Sequence, residues 1–361
     1  MDYEAVKLLP KCVYEDVEMI AKANIDWSRL QNKTVLITGA AGFIGYDLTI
    51  GLLTRNDLFG DNITVLALVR NREKAEKKFA DFLKRDDLKL IISDVCTPFF
   101  ISEKADFVIH AASGASADQF ENDPVGVIDA NLAGTFNALT YAHEAASEAT
   151  LFVSSLKVYG ALHNGKKIID EDDIGYIDHV LYKNCYAVGK RAAETICASF
   201  HKQYGLSVKI ARPAYIYGPS RLDDDRVWAQ FIANIVRNQS ILLKSNGAAL
   251  RSFCYVSDTC VALLKILLDG EDMLPYNISD ENSNITIRGF AKAATDAFPE
   301  RNLTLSFANK ADEIEPEPSP MAATLEVLSC ARINNLGWKA EIDIHEGIKR
   351  SVTIAETVFK E

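Results

Sequence analysis

The sequence has no Cys-x-x-Cys pair, no His/Cys cluster at metal-ligand spacing, no internal repeat and no extended low-complexity segment. Its seven cysteines are scattered at 12, 96, 185, 197, 254, 260 and 330. An odd, dispersed set fits neither a disulfide framework nor a structural metal, and points to reduced thiols in a cytoplasmic protein. Apolar runs long enough to span a bilayer are missing, so no membrane association is expected. The first residues lack a basic segment followed by an apolar one, so no leader peptide is expected. Basic stripes are absent too, and the net charge is −11. That argues against a nucleic-acid partner. It also means that an anionic ligand must be gripped by a few local arginines or lysines.

What is there is ordinary globular material: 361 residues, 48% hydrophobic and 25% charged. This is enough for one large domain or two intimately joined ones. Residues 1–32 form an N-terminal extension, in which 15–23 reads as a short amphipathic helix packed on the outside. Six strands then alternate with helices. Thr34–Thr38, Ile63–Val69, Leu90–Ile92, Phe107–Ser113, Thr150–Ser155 and Leu206–Arg212 read as strands from their apolar, β-branched content, and 73–84 is a Lys-rich helix. Strands alternating with helices imply an α/β fold, a doubly wound parallel sheet of Rossmann type. The pattern predicts a dinucleotide-binding domain over 33–213, completed by about 256–275. A smaller, interleaved C-terminal α/β substrate lobe is expected from 214–255 and 276–361, with a Pro- and Glu-rich loop at 315–320.

The first strand runs into Gly39-Ala40-Ala41-Gly42-Phe43-Ile44-Gly45 and then a helix. Glycines let a backbone approach a pyrophosphate, and a helix N-terminus offers free N–H groups and a positive dipole end. The spacing is GxxGxxG rather than GxGxxG, yet with its flanking strand and helix it reads as a dinucleotide site. After the second strand stand Arg70-Asn71-Arg72, where an NAD site usually has an acid. Two guanidinium groups would suit a 2′-phosphate, tilting the choice between NAD and NADP slightly towards NADP. The alternative is a solvated basic turn.

Tyr186 and Lys190 lie one turn apart on a helix predicted to run to about Tyr204. They share a side with Ala193, Cys197 and Phe200. A lysine there is costly to bury unless its charge is used, and a nearby ammonium favours a phenolate. Ser155, next to Ser154 at the end of the fifth strand, adds a hydroxyl. The competing reading is a snorkelling lysine beside a core tyrosine.

Taken together, these motifs resemble the extended short-chain dehydrogenase/reductases of the nucleotide-sugar epimerase/dehydratase group, over about residues 33–355. The resemblance is carried by Gly39–Gly45, Asp94, His110-Ala111-Ala112, Asn131, Val153-Ser154-Ser155, Tyr186-x-x-x-Lys190, Arg212-Pro213, Arg251-Ser252-Phe253 and Leu336-Gly337-Trp338. The stretch from Cys185 to Thr195, Asp225-Arg226-Val227 and Phe231-Ile232 are most similar to UDP-glucuronate decarboxylases.

The resemblance implies that Ser155, Tyr186 and Lys190 are catalytic, with Tyr186 as base at a sugar 4-hydroxyl and a 4-keto intermediate. Lys190 would lower the Tyr186 pKa and hold the nicotinamide ribose. Gly39, Gly42, Phe43, Ile44, Gly45, Arg70, Asp94, Val95, Ala111, Ala112 and Pro213, with Tyr186 and Lys190, would hold the cofactor. Lys157, Tyr215, Arg226 and Arg251 would meet a nucleotide-diphosphate sugar, Arg251 pairing with the diphosphate. Asn131 would support the site, and no metal is implied. Members commonly dimerise through two helices, here the Tyr186 helix and one around 127–146, so a homodimer is expected. Two positions depart from the pattern. Lys157 stands where dehydratases and decarboxylases place an acid, which argues against 4,6-dehydration. Tyr215 replaces an asparagine. Lys157 either contacts an anionic sugar substituent or is a rim lysine. The runner-up function is an NADPH-dependent reductase or dehydrogenase that exchanges its cofactor each turnover.

Overall fold

The computed structural model describes residues 9–162, 166, 168–309 and 326–359. The Pro- and Glu-rich loop expected at 315–320 lies outside the described residues. The first part of the chain forms α1 (Lys11–Ala21), β1 (Thr34–Thr38), α2 (Phe43–Phe59), β2 (Thr64–Val69), α3 (Arg72–Lys78), β3 (Leu88–Ile92), β4 (Phe107–His110), α4 (Ala117–Asn122) and α5 (Pro124–Ala145). It continues with β5 (Ala149–Val153), α6 (Cys185–Tyr204), β6 (Val208–Pro213), β7 (Tyr215–Tyr217), α7 (Val227–Val236), β8 (Ile241–Leu243), β9 (Leu250–Tyr255) and α8 (Val256–Asp269). The last elements are β10 (Pro275–Ile278), β11 (Asn284–Thr286), α9 (Ile287–Asp296), β12 (Leu305–Phe307), α10 (Ala331–Asn335) and α11 (Ile344–Val358).

Seven strands make one wholly parallel sheet in the order β10-β6-β5-β4-β1-β2-β3. Its residues alternate between two cores, as period-2 side chains must when both faces are covered. Val35 and Ile37, Val65 and Ala67, Phe107 and Ile109 face the core that holds α2 and α8. Leu36, Leu66, Val108 and Phe152 face the one that holds α5 and α6, with Ala138, Ala193 and Cys197. The strand order reverses between β1 and β4, and ligands of such sheets bind at the strands' carboxyl ends beside that reversal. Two smaller sheets, β11-β9-β7 and β12-β8, stand beside the main one.

Two local readings are corrected. The helix expected over 73–84 stops at Lys78, where Phe79 turns into the core and a short 3₁₀ turn follows. The extension helix starts at Lys11, earlier than expected, and is amphipathic as expected, its apolar face packed on α2 and α8. Val17, Ile20 and Ala21 are fully buried, and the Asp16 carboxylate accepts from Tyr255 Oη at 2.6 Å and Arg350 Nη1 at 2.8 Å.

Candidate active site

β1 ends at Thr38 and the chain turns through Gly39, whose φ is +70°. A Cβ on Gly39 would lie 2.9 Å from Ala112 Cα, and one on Gly45 would lie 2.3 Å from the Gly39 carbonyl oxygen. Only glycine allows both approaches. α2 then starts with Gly42 as its N-cap and no capping side chain, so its first-turn N–H groups remain for an anion. This cradle fits a dinucleotide pyrophosphate, which Gly42, Phe43, Ile44 and Gly45 would hold. Ala111 and Ala112 close the turn from β4, the Ala112 N–H donating to Thr38 Oγ1 at 3.2 Å. Behind them His110 is buried between Thr38 and Thr135, and is pushed down to about 3 by burial and by the Lys190 charge. Asp94 accepts from the Cys96 N–H at 2.9 Å, and Arg70 Nη1 approaches it at 3.9 Å. Arg72 instead reaches Glu76 along α3, at 3.2 Å. Val95 packs on Gly134, and its carbonyl accepts from Asn137 at 2.8 Å. Pro213 ends β6, paired with Ile278 of β10.

The two serines after β5 have different surroundings. Ser154 Oγ donates to Glu194 at 2.6 Å, and Glu194 is held by Arg212 at 2.7 and 2.9 Å. Ser155 Oγ accepts the Lys157 N–H at 3.2 Å and is near enough to Tyr186 to favour its phenolate. α6 starts at Cys185, so Tyr186 sits in its first turn and Lys190 one turn deeper. Lys190 is 2% exposed, and its Nζ donates to the Val153 carbonyl at 2.7 Å. It lies 4.9 Å from the Phe152 ring centre and 5.8 Å from that of Tyr186. Gly189 lets α6 press against α5, since a Cβ there would meet Asn131 Cβ at 3.0 Å. Asn131 donates to the Val127 carbonyl at 2.8 Å and accepts from Ser113 Oγ at 3.0 Å. It therefore braces the segment after β4 against α5.

The tuning of Tyr186 differs from expectation. Burial pushes its phenol up, and the opposing influences are the nearby Ser155 hydroxyl and the charge of Lys157. Lys190 is not among them. Burial pushes Lys190 itself down to about 7, so much of its charge is lost near neutrality, and its ammonium is already bonded to Val153. Lys157, rather than Lys190, is thus the lysine whose charge favours the phenolate.

On the far side, Lys157, Tyr215 and Arg251 come together around a carboxylate that the sequence reading missed. Glu326 Oε1 is 2.7 Å from Lys157 Nζ. Its Oε2 accepts from Tyr215 Oη at 2.6 Å and lies 2.9 Å from Arg251 Nε. Lys157 Nζ also donates to Tyr215 Oη at 2.8 Å. Burial would raise the Glu326 pKa, but the charges of Lys157 and Arg251 outweigh it and hold the carboxyl below its ordinary range. Backbone pairing with β9 places Glu326 there, through the Ser252 N–H to the Glu326 carbonyl at 3.1 Å. A cleft of about 310 Å³ opens beside the cluster, lined by Lys157, Tyr159, Gly160, Tyr176, Asn184 and Glu326.

Arg226 is not with this group. It pairs with Asp224 at 2.6 Å, and its guanidinium lies 4.6 Å from the Phe43 ring centre and 4.5 Å from that of Trp228. That puts it beside the glycine turn. A second missed residue is Phe120 of α4, whose ring stacks on Tyr186 at 5.3 Å. Among the described residues no His/Cys/Asp/Glu group is arranged to hold a metal, and no helix is long and apolar enough to cross a membrane.

This geometry has relatives. A UDP-glucuronic acid decarboxylase of Arabidopsis thaliana (number 3 of its series) is 30% identical over 323 residues, covering 88% of this chain and 87% of the relative. A UDP-glucuronic acid decarboxylase of Danio rerio is 28% identical, covering 90% and 73%. Among solved structures, UDP-glucose 4-epimerase of Thermotoga maritima with UDP-glucose superposes with a TM-score of 0.72 at 20% identity, covering 90% of this chain and 98% of that one. UDP-glucuronic acid 4-epimerase of Bacillus cereus, in complex with UDP-glucuronic acid and NAD, gives 0.71 at 17%, covering 90% and 99%. The structures share the fold. Residues 35–279 match the NAD dependent epimerase/dehydratase family, and with the glycine cradle, Ser155, Tyr186 and Lys190 in place, the chain is an enzyme that belongs to this family.

Proposed function

We propose that the protein modifies a nucleotide-diphosphate sugar through a 4-keto intermediate, with a tightly held NAD or NADP that is recycled within each turnover. The observation that carries this reading is the joining of Ser155, Tyr186 and Lys190 at the carboxyl end of the sheet, beside the glycine cradle. Tyr186 takes the proton of the sugar 4-hydroxyl, and Ser155 hydrogen-bonds the same oxygen. Lys190, buried and poised near neutrality, holds the nicotinamide ribose. A bound oxidised nicotinamide would supply the acceptor for the C4 hydride and a positive charge that favours the Tyr186 phenolate.

The fate of the 4-keto sugar turns on acid–base groups. A 4,6-dehydration needs an acid to expel the 6-hydroxyl. The carboxyl touching Lys157 is Glu326, held ionised by two cations and so a poor proton donor. Epimerisation needs no such acid and is the outcome the site supports best; decarboxylases also place an acid at the position of Lys157, so decarboxylation is supported by the names of the relatives rather than by the site. The slight tilt to NADP rests mainly on Arg70, the more exposed of the two and only loosely paired with Asp94 at 3.9 Å, whereas Arg72 lies 3.2 Å from Glu76 along α3.

A homodimer through α5 and α6 is supported by Phe136 and Tyr204, which are 53% and 47% exposed on those helices. A cytoplasmic setting is supported by the seven free thiols.

The test is incubation of the purified protein with UDP-, dTDP-, CDP- and GDP-sugars, without added cofactor, read by mass and NMR. Unchanged mass with a new epimer, or loss of carbon dioxide, is expected, with the cofactor recovered from the denatured protein. Stoichiometric consumption of added NADPH would instead establish the reductase reading.

A further inference from the structure

Lys157, Tyr215 and Arg251 come from the segment after β5, from β7 and from β9, and all three converge on one carboxylate. Two cations and a phenol O–H within hydrogen-bond reach of a single acidic group make an anion seat, and Arg251 adds planar directionality. The seat lies at the wall of an open cleft rather than in the core. The Lys157 side chain is 40% exposed, against 19% for Glu326 and 14% for Arg251. The anion in it is the chain's own, and the backbone of Glu326 is tied independently of its side chain. The residue-326 carbonyl accepts from the Ser252 N–H, Leu328 N–H donates to Ser252 Oγ at 3.0 Å, and Ser329 N–H donates to the Ile169 carbonyl at 2.8 Å. The carboxylate can therefore leave the seat by side-chain rotation while the bridge to β9 stays made.

We propose that Glu326 is a resident counter-anion: it fills the Lys157–Tyr215–Arg251 seat in the ligand-free chain, and an anionic oxygen group of the substrate, phosphoryl or carboxylate, displaces it. The seat's chemistry suits either group, and the proposal rests on the nucleotide-sugar reading above for the ligand's identity. A resident anion has two effects. It keeps two cations from facing one another unpaired, which is costly at a partly buried site. It also scales apparent affinity down to the fraction of molecules in which the seat is open. A neutral group cannot remove Glu326 by charge, so the seat selects for anionic ligands.

The experiment compares the full-length wild type with Glu326→Gln and Glu326→Asp. Binding of inorganic pyrophosphate, UDP, UDP-glucose and UDP-glucuronate is measured by calorimetry, and thermal midpoints are measured with and without each ligand. Glu326→Gln is expected to melt lower when ligand-free, to bind a seat ligand about tenfold more tightly, and to gain more in midpoint from it than the wild type does. Glu326→Asp, with a carboxylate one methylene short of its three partners, is expected to fall between, and serves if the Gln variant folds poorly. Equal gains for pyrophosphate, UDP and both nucleotide sugars identify a phosphoryl occupant. A gain confined to UDP-glucuronate identifies a carboxylate. Affinities within twofold of wild type for all four ligands overturn the proposal, because a merely structural ion pair changes the midpoint but not the ligand increment. Tighter pyrophosphate binding without turnover of any nucleotide sugar upholds the seat and sinks the functional reading. Turnover without tightening does the reverse.

Discussion

At the glycine turn the protein shapes its site with backbone, whereas around Lys157 it does so with charge. The first region is contiguous: Gly39 to Gly45 adopt a form that their lack of side chains permits, backed by Ala111 and Ala112. The second draws on residues 157, 215, 251 and 326, which no local stretch brings together. A backbone cradle serves every dinucleotide alike, since it reads only phosphate. A charged cluster can change its preference with one substitution. Conserving one half of the chemistry while varying the other needs this division.

Tyr186, between the two regions, gives the largest effect. Tyr186→Phe should lower kcat by about 10²–10⁴-fold, the usual worth of a positioned proton acceptor, with the midpoint of unfolding nearly unchanged. Full turnover by the variant would remove the base from the mechanism. Next comes the cradle. Gly45→Ala puts a methyl against the Gly39 carbonyl, where backbone rather than a flexible side chain must yield. We expect about 1–3 kcal/mol of lost stability, as for overpacked cores, and loss of the co-purifying cofactor, read by absorbance of the denatured supernatant. A comparable substitution in the charged region, Lys157→Met, should leave cofactor retention intact and raise the pH at which kcat falls by half on the acid side. Its charge favours the Tyr186 phenolate, so removing it makes the phenol harder to ionise.

Lys190 gives a pH signature. Its pKa is depressed from an ordinary 10.5 to about 7. Between those values the unfolded chain binds more protons than the folded one, so this group makes stability rise with pH from about 7 to 10. The midpoint difference between wild type and Lys190→Met should therefore shift in favour of the wild type across that range. A constant difference would mean that Lys190 is not charge-strained. The smallest effect belongs to Arg72→Ala, expected within about 0.5 kcal/mol as for surface sites and without change in the NAD/NADP ratio of the bound cofactor, while Arg70→Ala moves that ratio towards NAD if the 2′-phosphate is bound there.

Much of this was readable in the chain. The six strands that carry the candidate cofactor site are contiguous apolar runs, and their period-2 burial follows from a sheet covered on both faces. Tyr186 and Lys190 were visible as a helical spacing, and Ser155 as a strand end. Glu326 was not, because its partner Lys157 is far away in sequence and only the bridge to β9 brings them together. Phe120 escaped for the same reason, its stacking on Tyr186 being a contact between α4 and α6. The direction of the Tyr186 shift was misjudged because spacing gives proximity but not solvation. Lys190 is too deeply buried to keep its charge at little cost.

The contacts of Asp16 have a consequence for how the chain comes off the ribosome. α1 precedes in the chain every element it packs against, and an 11-residue helix is marginal by itself in water. Among the described residues its acidic side chain is matched by Tyr255 and Arg350, which are synthesised long afterwards. The apolar face of α1 can pack on α2, where Ile20 lies over Gly51, well before α11 exists, so only the Asp16 carboxylate awaits its partners, and its ion pair joins the two ends of the described chain.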